Sequence, residues 1–441
     1  MGFKSKRVNF VLLMTLAALV AGFAGTTYAV AEERPFAGTV VKALIFRSLD
    51  SDYIATVMAP RLEKETGIIL KVDQVPYEHI HSKQIMDFMG ARVYDIINPC
   101  TEWSHEYRRY SLDLGKYVDA PGFPDVEIED VIPGVWKEWN PSGLPIAWIP
   151  YQPDSRVFFF RKDLLKDAGL PIPPKTWDEL LTAAEKLTVD KDGDGKIDQY
   201  GFGMPARRGM HIMHMWIPFL FSAGGELFDT NWKPTLNSQA GIDALQLFCD
   251  IKPFCPPDVA VFGEYETNHS AKMGLLAMGV CHTAITPEIF APDSPVKDLM
   301  GCAFYPVKSL DVPRSYAGIM GGWALGATKY SKNPEAAVYT TFWLTNRENA
   351  TDMQIHGRQH AARLSMAKNP ELLAVNPGVP TIVATLEQAV MLFPGPECQD
   401  LSEILGTRLS QAFAGEMTPK EALDITAMEW EFLLESAGYY D

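Results

Sequence analysis

Past residue 31 the sequence contains no apolar run long enough to cross a bilayer, which excludes a spanning helix in the body of the chain. Cysteine is scarce, six in 441 residues. No Cys-x-x-Cys pair occurs among them, so neither a disulfide-built scaffold nor a zinc or dithiol redox centre is indicated. The usual catalytic signatures are missing too: there is no Gly-x-Ser-x-Gly elbow, no Walker loop and no His-Glu-x-x-His helix. The close pairs His79/His81 and His211/His214 lack a carboxylate or Cys at metal-ligand spacing. Positive charge is in deficit. Lys and Arg total 39 against 55 Asp and Glu, a formal net charge of −16, and that balance argues against nucleic acid or anionic lipid as a partner. It suits a neutral or weakly polar ligand.

What is present begins with a secretion signal. Lys4, Lys6 and Arg7 precede the apolar stretch "FVLLMTLAALVAGFAG", and Ala29-Val30-Ala31 offers the small residues that a signal peptidase reads. Residues 1–31 are expected to be removed, leaving the remainder in the periplasm. At 47% hydrophobic composition, a chain of this length can bury a sizeable core and divides into two domains. In an oxidising compartment Cys249 and Cys255 are close enough in sequence to form a disulfide.

Strand and helix patterns alternate from residue 39. "TVVKALIF" (39–46) reads as a buried strand, "SDYIATVMAPRLEKETG" (51–67) as an amphipathic helix stopped by Gly67, and "IILKVDQV" (68–75) as a second strand. Such alternation implies a parallel sheet with helical crossovers. Proline-flanked extended runs within 143–170 mark a passage from one lobe to another. In "PPKTWDELLTAAEKL" (173–187), Thr176 is a helix N-cap and Glu179 completes its capping box. "MGCAFYPV" and "GIMGGWALGATKYS" read as strands returning to a sheet, and the remaining third is mostly helical.

Four segments carry a resemblance: "VFFFRKDLLKDAGLPIPPKTWDELLTAAEKLTVDKDGDGKIDQYGFGM" (157–204), "WIPFLFSAGGELFD" (216–229), "GGWALGATKYSKNPEAA" (321–337) and "FAGEMTPKEALD" (413–424). In this order the chain resembles the extracellular solute-binding proteins of carbohydrate-uptake ABC transporters, the family that includes maltose-binding protein. The resemblance implies an α/β protein of two discontinuous lobes joined by hinge segments. Lobe 1 is then residues 32–152 and 306–348, and lobe 2 residues 153–305 and 349–441. It also implies a carbohydrate or polyol bound between the lobes and delivered to the permease subunits of an ABC transporter by a monomeric, non-enzymatic carrier. The alternative is a secreted glycoside-acting enzyme whose two carboxylates stand far apart in the sequence. One stretch departs from the family pattern: "GRQHAARLS" (357–365) keeps Gly357, Arg363 and Ser365 but has Ala361 where relatives often carry proline.

A sugar presents hydroxyls around its rim and a flat C–H face, so its site needs aromatic platforms and planar polar groups. Trp103, just after a strand, stands at the C-terminal edge of a parallel sheet, with Glu102 beside it as a hydroxyl acceptor. Trp323 is the leading platform, because Gly321 and Gly322 ahead of it let backbone approach a ligand. Tyr151 and Arg156 lie in the crossover, Trp216 leads an apolar helix, and Arg363 supplies a planar fork for vicinal hydroxyls. Core packing competes for Trp103 and Trp323 and is the favoured role of Trp216; simple exposure competes for Glu102, a hinge role for Tyr151 and Arg156, and a surface ion pair for Arg363. The loop "VDKDGDGKIDQYGF" (189–202) copies the front of an EF-hand. Asp190, Asp192 and Asp194 hold positions one, three and five, Gly195 holds six and Asp198 nine, but the twelfth, where a bidentate Glu belongs, is Gly201. A structural calcium outside the ligand site is the one cofactor this spacing suggests.

Overall fold

The computed structural model describes residues 34–312, 318–357, 362–393 and 395–440. The signal segment, residues 1–31, lies outside them, as do Arg358 to Ala361 of the departing stretch. The strands are β1 (Val40–Phe46), β2 (Ile69–Val75), β3 (Ile96–Ile97), β4 (Ile149–Asp154), β5 (Arg156–Arg161), β6 (Met278–His282), β7 (Met300–Ala303) and β8 (Gly321–Ala327). They form two sheets, ordered β2-β1-β3-β8-β4 and β6-β5-β7.

The parallel arrangement anticipated from local alternation holds for β2, β1 and β3. It does not hold further along: β8 runs antiparallel to both β3 and β4, and the second sheet is antiparallel throughout. Helical crossovers fix direction only between strands adjacent in sequence. A strand returning from far along the chain takes its direction from its neighbours in space. β4 contains Pro150 and Pro153, which have no N–H to give to a ladder; it is the terminal strand of its sheet, and its register against β8 shifts between Pro150 and Gln152.

A single residue, Ser155, separates β4 in the first sheet from β5 in the second. It is fully buried. Its N–H donates to Thr283 Oγ1 at 3.1 Å, and its carbonyl accepts from Thr283 N at 3.0 Å. The link is therefore pinned to the segment that follows β6.

Local signals were followed closely. The helix Ala59–Thr66 stops where Gly67 enters the left-handed region, φ 80°. Thr176 Oγ1 accepts from Glu179 N at 3.2 Å, and Glu179 Oε2 accepts from Thr176 N at 3.4 Å, closing the expected box. One apolar core gathers Leu44, Ile97, Trp148 and Leu325 around the first sheet. The other packs Phe158 and Trp216 with Leu405 and Trp430 of the late helices. Among the described residues no helix is long and apolar enough to cross a membrane.

The disulfide expected between Cys249 and Cys255 is not formed; all six cysteines are free thiols. Cys249 Sγ donates to Ala412 O and Cys255 Sγ to Ile251 O, so the two point to different partners. Burial pushes both thiols up, which keeps them protonated.

Candidate ligand-binding site

A cavity of about 400 Å³ is lined from both sheets. Its first wall is aromatic. Phe46, the last residue of β1, stacks on Trp323 of β8 with ring centroids 4.5 Å apart and planes within 5°. Tyr77, opening the helix Tyr77–Met86, meets Trp323 edge-on at 6.1 Å and 86°. Gly322 places Trp323 there: its φ is 101°, and a Cβ would stand 2.1 Å from Gln152 O across the β4–β8 ladder. No larger residue fits that pairing. Glu102 and Cys100 continue this wall, the Cys100 thiol donating to Glu102 Oε2 at 2.5 Å. Burial, with the Glu102 carboxylate beside it, holds that thiol well above its ordinary pKa.

The second wall is a chain of charged groups that largely answer one another. Arg156, 1% exposed, reaches Asp154 Oδ2 through Nη1 at 3.2 Å and His214 Nδ1 through Nη2 at 2.7 Å. A guanidinium can only donate, so His214 Nδ1 accepts and this imidazole is neutral. Burial first and the Arg156 charge second hold its pKa well below the usual histidine value, in agreement. Asp154 Oδ1 also accepts from Thr283 Oγ1 at 2.6 Å and Ala284 N at 3.1 Å. His282 Nδ1 binds Asp154 Oδ2, while its Nε2 lies 2.8 Å from Glu264 Oε1, an ion-pair contact off the hydrogen-bond axis. Glu264 Oε2 is 2.5 Å from His211 Nδ1. Burial alone would raise the Glu264 carboxyl, but His282 and His211 outweigh it and hold it well below the carboxylate range.

Of the residues singled out in sequence, Glu102, Arg156, Gly322 and Trp323 line this cavity. Trp103 does not; it lines an adjoining cavity of about 430 Å³ that shares Tyr77, Glu102 and Met210 with the first. Tyr151 is buried one position before cavity-lining Gln152, and its phenol lies against Asp50 and Asn98. Trp216 is wholly buried in the second core. Arg363 sits elsewhere, 1% exposed: Nη2 donates to Val126 O at 2.8 Å and to Thr345 O, and Nη1 donates to Glu127 O at 3.2 Å. Its planar fork is occupied by backbone carbonyls. Sequence reasoning missed Phe46, Tyr77, Asp154, Glu264 and His282. The pair His211/His214 had been noticed, but Glu264 and Arg156, which engage them, come from other elements.

In the acidic loop, one carboxylate oxygen from each of Asp190, Asp192 and Asp194 lies within 4.8 Å of the others. Asp198 is not among them; it accepts from Lys191 N. The loop's carboxylates also make its turns, Asp190 accepting from Gly193 N at 2.7 Å and Gly195 N at 2.8 Å. These bonds, Gly195 first, lower the Asp190 pKa. The twelfth position has no room for a ligand side chain, because a Cβ on Gly201 would stand 1.8 Å from Ala184 O. Three converging oxygens fit a cation, but not the complete EF-hand set.

The model of the family described as bacterial extracellular solute-binding proteins matches residues 48–350. A probable amino-acid ABC transporter periplasmic-binding protein of Sinorhizobium fredii is 26% identical over 413 residues, covering 92% of each chain. The mannitol-binding protein of Pseudomonas aeruginosa is 25% identical over 352 residues, 72% of this chain and 76% of that one. A solved ABC transporter solute-binding protein from Agrobacterium radiobacter, in complex with ribitol, superposes with a TM-score of 0.77 at 25% identity, covering 90% of this chain and 99% of that one. The two-lobed α/β expectation holds, and the family and these relatives are binding proteins rather than enzymes. With the family match spanning well over half of its length, the chain belongs to the bacterial extracellular solute-binding proteins, whose relatives are ABC transporter binding proteins.

Proposed function

We propose that this protein binds a neutral sugar or polyol in the cavity between its sheets, and hands it unaltered, as a monomer, to the permease of an ABC importer. One observation carries the reading: an aromatic wall of Phe46, Tyr77 and Trp323 faces a wall whose charges are already paired. The first suits the C–H face of a sugar or the carbon chain of a polyol, and the second suits its hydroxyls. Trp323 is the platform, Gly322 its backbone support, and Glu102 and Arg156 are polar contacts. The S. fredii relative is named for amino acids, but an amino acid carboxylate needs an uncommitted cation. Among the described residues lining the cavity, Arg156 is engaged by Asp154 and His214, and His282 by Asp154 and Glu264. The signal read in residues 1–31 supports export to the periplasm.

A thermal-shift panel of ribitol, D-mannitol and maltose, with amino acids as the opposing arm, tests this. A ligand held only by the folded protein adds about 2.7 kcal/mol of apparent stability at 100 times its Kd. Trp323→Ala is expected to weaken the best ligand by about 2 kcal/mol, the scale for losing one buried aromatic anchor. Recovery of a cleaved sugar by mass spectrometry would instead establish the glycoside-acting alternative, and stabilisation by amino acids alone would overturn the ligand class.

The Asp-rich loop is a separate matter. Calcium is expected to act through Asp190, Asp192 and Asp194 on stability alone, so chelation should lower the melting temperature and leave ligand affinity unchanged. Loss of binding at an unchanged melting temperature would put a metal in the cleft.

A further inference from the structure

His282 occupies an unusual position even within the paired wall. It ends β6, and titratable groups approach it from every side. Asp154 comes from the end of β4, Arg156 from the start of β5, and Glu264 from the first turn of the helix Glu264–Lys272. The helix Met210–Ser222 adds His214, whose ring centroid is 6.1 Å away, and His211, which meets the other oxygen of Glu264. On its own strand stands Cys281, kept a neutral thiol by burial. Both ring nitrogens of His282 face carboxylates. An ionised carboxylate only accepts, so Nδ1 donates to Asp154, and the Glu264 charge 2.8 Å from Nε2 favours a second proton on the ring, the imidazolium form.

We propose that protonated His282 is a positioning residue for the ligand: by holding Asp154 of the first sheet and Glu264 of the helix Glu264–Lys272 at once, it sets two cavity-lining carboxylates in place and makes ligand affinity fall as pH rises. A neutral His282 would turn a lone pair toward one of the two carboxylates. Asp154 would keep Arg156, Thr283 and Ala284, whereas Glu264 would keep the His211 contact. Burial and Arg156 oppose the imidazolium, but Asp154 and Glu264 outweigh them and raise its pKa. The sign follows. A pKa raised by folding contributes stability that is complete below the unfolded histidine value and is lost as pH rises through the folded one.

This inference rests on the sugar or polyol reading, and its test separates the two. The imidazole of His282 is titrated by NMR in the ligand-free protein, and Kd for D-mannitol and ribitol is measured across the same pH range. The expected results are a midpoint above that of a free histidine and an affinity that weakens roughly tenfold through it. His282→Gln should lower affinity at neutral pH by a similar factor and flatten the profile, whereas His211→Gln should keep the profile. A midpoint at or below the ordinary value, or a pH dependence that disappears with His211→Gln instead, overturns the proposal. So does binding that is independent of pH. If neither probe binds at any pH, the ligand reading itself fails and takes this inference with it. The titration needs no variant, so misfolding of His282→Gln would not spare the proposal.

Discussion

Arg156→Met is expected to destabilise the protein by about 3 kcal/mol and to remove ligand binding at concentrations that saturate the unaltered protein. Removing one member of a buried ion pair costs about 3–5 kcal/mol, because the partner charge stays behind in a medium that solvates it poorly. Here the partner is Asp154, with its side chain 8% exposed. The lower end applies because Asp154 retains His282, Thr283 and Ala284. Methionine roughly preserves the volume, so the loss is electrostatic rather than a cavity. Urea denaturation and calorimetric titration on the same preparation read both effects. A change below about 1 kcal/mol, the worth of a surface pair, would mean that water reaches Arg156 and that the wall is not the dry, paired surface described above.

Arg363→Ala is expected to produce a loss of similar size, about 3 kcal/mol, with no change in ligand affinity. The guanidinium satisfies carbonyls of Val126, Glu127 and Thr345 and lies 3.7 Å from Asp130. Each buried acceptor left without a donor costs about 1–3 kcal/mol. Asp130 is cushioned by Arg347 and Ser365, which also bind it. The two arginines thus make a contrast: each is 1% exposed, and only one lines the cavity. Weakened binding by Arg363→Ala at preserved stability would return that residue to the ligand site.

The two arginines also show what could be read in the sequence. A planar fork serves vicinal hydroxyls, a carboxylate or three backbone carbonyls equally well, so the residue type alone could not place Arg363. Arg156 was legible because its neighbours were: prolines and extended residues marked the passage between sheets. Trp323 was legible from the glycines before it, and the Thr176 capping box from a three-residue spacing. These signals are local. The paired wall is not, since Asp154 and His282 are 128 positions apart, and they meet only because β5 pairs antiparallel with β6. The antiparallel course of β8 was hidden for the same reason. Phe46 and Tyr77 looked like an ordinary strand end and helix start; their role depends on Trp323 arriving from a distant strand.

The one-residue link at Ser155 has a consequence for how such a protein can change over generations. Gln152, Asp154 and Arg156 all contact the cavity, and all lie within three positions of the point where the chain passes from sheet to sheet. On the proposed function, the side chains that meet the ligand are thus also the ones that flank the crossing between the sheets. A substitution here that favours a new solute is therefore expected to disturb the packing of the crossing as well, so that selection acts on both at once. Diversification is freer on the opposite wall, where Phe46, Tyr77 and Glu102 stand on elements remote from the link. A library intended to redirect this protein to another solute should spend its variation there and leave residues 152–156 alone.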